Sequence, residues 1–85
     1  MEILSLIETA IEVGNIALAK KLTRAVEIVE KTEDKEEVED GFGFIYYFTY
    51  TIRTKDGMVK VKVEAKDYYY YGILRNEKNI WEVKE

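Results

Sequence analysis

The chain has 85 residues, a mass of 10.0 kDa and a net charge of −4, and it contains no Cys, His or Pro. Those zeros exclude a disulfide framework, a thiolate nucleophile or cysteine metal site, and histidine as general base or metal ligand. A chain of this length can bury one core and no more. Gln is also missing, while Lys and Glu supply 10 and 13 residues, the balance of a hyperthermophile protein and equally of an idealised designed chain.

The acidity is local. Residues 30 to 40 hold seven acids against Lys31 and Lys35, a charge of −5, so the rest of the chain sums to +1. That balance argues against a general nucleic-acid binder. At the N-terminus, Glu8 and Glu12 break the apolar pattern well short of a membrane span and no basic leader is present, so a cytoplasmic protein with no membrane partner is expected.

Residues 2 to 13 read as an amphipathic helix, with Ile3, Leu6, Ile7, Ala10 and Ile11 at i, i+3, i+4 spacing. Gly14 suits a helix end and Asn15 suits the cap of a second helix. That second helix is expected from 16 to about 31, with Leu18, Leu22, Ala25, Val26 and Val29 on one face. Residues 32 to 41 read as a solvated acidic linker, because like charges at that density repel and extend. The run has neither the ligand spacing nor the internal glycine of a calcium loop.

From residue 42 the period becomes two. Phe42, Phe44, Tyr46, Phe48, Tyr50 and Ile52 fall on one face of a strand. Asp56-Gly57 predicts a two-residue type I′ turn that pairs Lys55 with Met58, Ile52 with Val61, Tyr50 with Val63 and Phe48 with Ala65. Extended further, this register sets Tyr70 across Gly43 and Asp67 across Tyr46 on the buried face. One of these must yield, through a bulge near Lys66-Asp67 or a turn that opens a separate strand. Residues 68 to 74 are strand-like, 76 to 79 read as a turn, and 80 to 83 as a short last strand.

The expected fold is therefore α+β, with an N-terminal αα-hairpin over residues 1 to 31 packed on one face of a three- to four-stranded antiparallel β-meander over residues 42 to 85. The whole chain reads as one domain. Its expected core is Ile3, Ile7, Ile11, Leu18, Leu22, Val26, Phe44, Phe48, Tyr50, Ile52, Val61 and Val63.

No constellation points to catalysis. Ser5 is the only serine, no histidine exists to activate it, and Gly41-Phe42-Gly43 opens a strand where a phosphate loop would open a helix. Catalytic, cofactor and metal residues are all expected to be absent. The tyrosines carry the functional signal: a run from Tyr68 to Tyr71 must place two rings on each sheet face. Ile45, Tyr47, Tyr68 and Tyr70 are the expected interaction face, suited to another protein or to a weak homodimer. The alternative is a small nucleic-acid binder whose phosphate contacts are Arg53, Lys55, Lys60 and Lys62 around the hairpin tip. The leading expectation is a non-enzymatic protein-interaction module, or a designed scaffold with no native activity.

Overall fold

In the computed structural model, which describes residues 2–84, the apolar spacing of the first segment closes as helix α1, Glu2–Glu12. Helix α2, Ile16–Leu22, follows after a short turn. Its start is capped by Asn15, whose side-chain oxygen accepts from the Leu18 N–H at 3.2 Å. Four strands complete the chain: β1 Ala25–Glu37, β2 Gly41–Thr54, β3 Gly57–Tyr70 and β4 Ile73–Glu82. They form one antiparallel sheet in the order β1-β2-β3-β4. The α+β class, the helical hairpin at the N-terminus and the meander are as expected from the sequence.

The boundary between helix and sheet is not. The second helix ends at Leu22, and the residues expected to continue it, together with most of the expected linker, form β1. Thr23 closes the helix, its hydroxyl bonding back to the Lys20 carbonyl at 2.6 Å. Beyond it, Val26, Ile28, Val29 and Thr32 are β-branched and fit a pleated surface better than a helix. Pairing then decides the matter. β1 covers an edge of β2 that would otherwise lie open as a long strand without charge up to Arg53.

The β2–β3 register is two residues tighter than the sequence suggested. Arg53 faces Met58, Ile52 faces Val59, Tyr50 faces Val61 and Phe48 faces Val63. The two-residue bend is Lys55-Asp56, and of the turn residues only Gly57 takes a positive φ, 117°. A shift of two keeps every side chain on its expected face, so the apolar pattern is satisfied by either register. Tyr68, rather than Tyr70, now lies across Gly43, and Asp67 faces Phe44 rather than Tyr46. The strand has neither the bulge nor the break expected near Asp67. It simply runs on past the helices, which leaves Asp67 exposed on the helix-side face.

The turn expected at 76 to 79 is instead the middle of β4. The chain reverses earlier, at Tyr71-Gly72, where φ values of 50° and 75° meet the type I′ requirement at both central positions.

Leu6, Ala10, Leu18, Ala19, Leu22, Tyr50, Ile52, Val61, Val63 and Ile80 make the core. Ile7 and Phe48 pack on its margin, while Ile3 and Phe44 are half-buried. Ile11 and Val26, both expected inside, are 54% and 48% exposed. α1 is rotated so that Leu6 and Ala10 face the sheet, and Val26 belongs to an edge strand. Ala10, fully buried, has no bulk to hold α1 off the sheet, and α1 packs against β4.

Candidate functional site

Helix and strand lengths set what is left uncovered. Eleven and seven helical residues reach about 16 and 10 Å, whereas fourteen-residue strands reach about 46 Å. The two helices cover the half of the sheet that holds Tyr50, Ile52, Val61 and Ile80. Among the described residues, the other half has no helix on either face.

On the face opposite the helices, the register brings Ile45, Tyr47, Tyr68 and Tyr70 together, as expected, with Lys60 and Lys62 on the same side. Charge surrounds Tyr47. Lys62 Nζ lies 5.6 Å from its ring centre, and Asp34 sits across from it on β1. Partial burial, then Glu36 and Glu64, hold its hydroxyl above the usual tyrosine range. Ile45 and Tyr47 thus form a small apolar island among charged neighbours.

On the helix-side face, Phe44, Tyr46 and Phe48 make a row whose ring centres are 6.0 and 6.4 Å apart. Lysines of β1 lie over this row: Lys35 Nζ is 4.7 Å from the Phe44 ring, and Lys31 Nζ is 5.4 Å from that of Phe48. Lys31 also pairs with Glu2 of α1 at 3.1 Å, which raises its pKa. Between the row and β4 runs a shallow groove of about 360 Å³, floored by Tyr46, Phe48 and Ala65 and edged by Glu33, Asp67 and Lys78.

Both faces meet at the far end of the sheet, where the apolar exposure is concentrated. Phe42 and Tyr71 are 82% and 79% exposed, and Tyr69, Tyr70, Ile73 and Leu74 are exposed beside them. Tyr70 and Tyr71 pack edge to face, with ring centres 4.4 Å apart. Of this group the sequence named the run Tyr68 to Tyr71 and set Tyr70 on the expected interaction face, whereas Phe42, Ile73 and Leu74 were missed. The signal for them was length: an uninterrupted alternating strand far longer than either helix cannot be covered by that helix.

The basic residues at the opposite tip are differently placed. Arg53, Lys60 and Lys62 share the outer face and Lys55 sits in the turn. Arg53 is held by Glu27 of β1, its Nε and Nη2 bonding Oε1 at 3.1 and 2.8 Å. This pairing was not legible in the sequence, because Glu27 falls within the expected second helix. The acidic run is spread along β1 on alternating faces, with Asp34 and Glu36 opposite Tyr47 and Ile45, and Glu33 and Glu37 opposite Phe48 and Phe44. Among the described residues no cluster of acids is arranged to hold a metal ion. No helix among them is long and apolar enough to cross a membrane.

A scan against protein-family models, a search of curated proteins and a search of solved structures each return no match to the chain.

Proposed function

We propose that this chain is a non-enzymatic protein-interaction module that docks a partner protein at the aromatic end of its sheet. One observation carries the reading: six large apolar side chains, Phe42, Tyr69, Tyr70, Tyr71, Ile73 and Leu74, stand exposed together at the end the helices do not reach. Phe42, Tyr69 and Leu74 lie side by side on the helix-side face, and Tyr70 and Ile73 back them on the other. This end of the sheet is thus apolar on both faces, and apolar exposure of that kind on a small chain marks a site of association. Tyrosine suits it, giving large contact area with few rotatable bonds and a hydroxyl that tolerates water.

The surroundings narrow the partner. Glu37, Glu39, Asp40 and Asp67 border this end, against Lys35, Lys66 and Arg75. An apolar surface with a basic rim is the complement, which disfavours nucleic acid and anionic lipid. Selection from a displayed peptide library tests the reading. Enriched peptides should combine aromatic or aliphatic residues with Lys or Arg, and should lose binding to a Phe42→Ser/Tyr69→Ser variant. No enrichment, or enrichment that survives the double variant, would overturn it.

A further inference from the structure

The two edges of the sheet are built differently. β1 breaks register at Ala25/Glu27 and Ile28/Glu30 and carries dense charge over residues 27 to 37, both of which discourage another strand. β4 has no register break, and its charges between residues 73 and 79, Arg75, Glu77 and Lys78, are few and of mixed sign. Its pairing with β3 is unbroken from Ile73 to Glu82, and residues 73 to 79 are all exposed.

One hydrogen bond fixes which backbone groups of β4 point outward. The Val83 N–H donates to the Lys60 carbonyl at 2.8 Å. Bonded and non-bonded pairs alternate along an antiparallel ladder. The odd residues of β4 therefore bond to β3, and Leu74, Asn76, Lys78 and Ile80 turn their N–H and C=O groups to the open edge. Ile80 agrees with this: its N–H is bonded by the Asn79 side-chain oxygen at 2.9 Å. Ile80 also lies in the core with Leu6 and Ala10 of α1. The open stretch therefore runs from Leu74 to Lys78.

We propose that this stretch pairs antiparallel with the same stretch of a second copy, joining two four-stranded sheets into one of eight strands. This surface is the backbone edge of β4, which adjoins the apolar sheet end at Leu74, and it rests on backbone direction and charge alone. A two-fold pairing must set outward residues opposite outward residues, so its axis passes through Arg75, Asn76 or Glu77. An axis at Arg75 or Glu77 opposes that charge to its own copy. An axis at Asn76 sets Arg75 against Glu77 of the second copy on both sides of the centre. Within one chain these two side chains are only loosely paired, at 3.5 Å and half-exposed, so both can serve a partner. Leu74, Asn76 and Lys78 then each donate and accept one bond across the axis. Ile80 falls opposite Gly72 of the second copy, beyond the end of that strand, and its N–H is the one Asn79 already satisfies.

Sedimentation of the intact chain over a wide concentration range, with circular dichroism as a check on folding, tests the proposal. The wild type should dimerise. Asn76→Pro removes an outward N–H that the β3 ladder does not use, and should give a folded monomer. Arg75→Glu and Glu77→Arg should each weaken the dimer about tenfold, and the double exchange should restore it to within about threefold, because the exchanged pairs are again opposite in sign. Tyr47→Lys, two strands away, and Phe42→Ser should leave dimerisation unchanged, which separates this edge from both faces and from the aromatic end. A wild type that stays monomeric at hundreds of micromolar would overturn the proposal. So would a double exchange no tighter than the single ones, or a dimer lost with Tyr47→Lys and kept with Asn76→Pro. Should Asn76→Pro fail to fold, the charge exchange decides alone.

Discussion

Arg24 holds Asp56 through two donors, Nε on one carboxylate oxygen and Nη2 on the other at 3.1 Å, across 32 positions of sequence. The Arg24 carbonyl also accepts the Lys55 N–H at 3.0 Å. The residue that leads into β1 is thus fastened to the β2–β3 turn by side chain and backbone together, and this ties the start of the edge strand to the hairpin. The hydrogen bond from Arg24 holds the Asp56 carboxyl below its ordinary value of 3.8, and the same bond raises the Arg24 guanidinium.

The pair gives the first prediction. A carboxylate whose folded pKa is depressed adds stability above its unfolded pKa and loses it as pH falls through the folded value. Asp56→Asn should lower Tm slightly near neutral pH, since both partners are well exposed and screened by water. Below about pH 4 the difference from wild type should shrink toward zero. Thermal melts from neutral to strongly acidic pH check this, and parallel curves throughout would show that the pair contributes nothing.

The phase of α1 gives the second. Leu6 is 5% exposed and packs with Ile80, whereas Ile11 is 54% exposed. Leu6→Ala should cost about 2 to 4 kcal/mol, and Ile11→Ala less than about 1 kcal/mol. Urea unfolding of the two variants measures both. Equal losses would mean that α1 sits on the sheet by a different face.

The third concerns the close approach of β2 to β3. Gly43 has φ 124°, and a Cβ there would lie 2.4 Å from the Asp67 carbonyl oxygen and 2.7 Å from the Tyr68 Cα. Both neighbours are backbone, so the strands must part. Gly57 has a similar φ, 117°, but open space around it. Gly57→Ala should therefore cost about 1 kcal/mol from backbone strain, and Gly43→Ala distinctly more, on the order of 2 to 3 kcal/mol. A Gly43→Ala loss equal to that at Gly57 would show that the strands separate without penalty.

Much of this architecture was legible in residue spacing. The period of two from Phe42 to Ile52 assigns faces correctly whichever register is taken, because parity survives a shift of two. That is why Ile45, Tyr47, Tyr68 and Tyr70 could be grouped on one face while the partner of each was misplaced. The register itself depends on how the chain bends at Lys55-Asp56-Gly57, and a glycine after an aspartate is compatible with more than one turn. Residues 25 to 37 were ambiguous for another reason. Val26 and Val29 are spaced as a helix allows and branched as a strand prefers, and local preference could not choose between them. The choice falls to β2, whose free edge takes up the backbone groups of that segment. The uncovered end is likewise a product of assembly: two short helices on a long sheet leave Phe42, Tyr69 and Leu74 beyond their reach. Composition and spacing alone determined a charged chain without Cys or His, with two helices and an alternating sheet. Tertiary structure decided where the helices stop, which strands pair and which apolar residues remain in water, because each of these depends on contacts between segments distant in sequence.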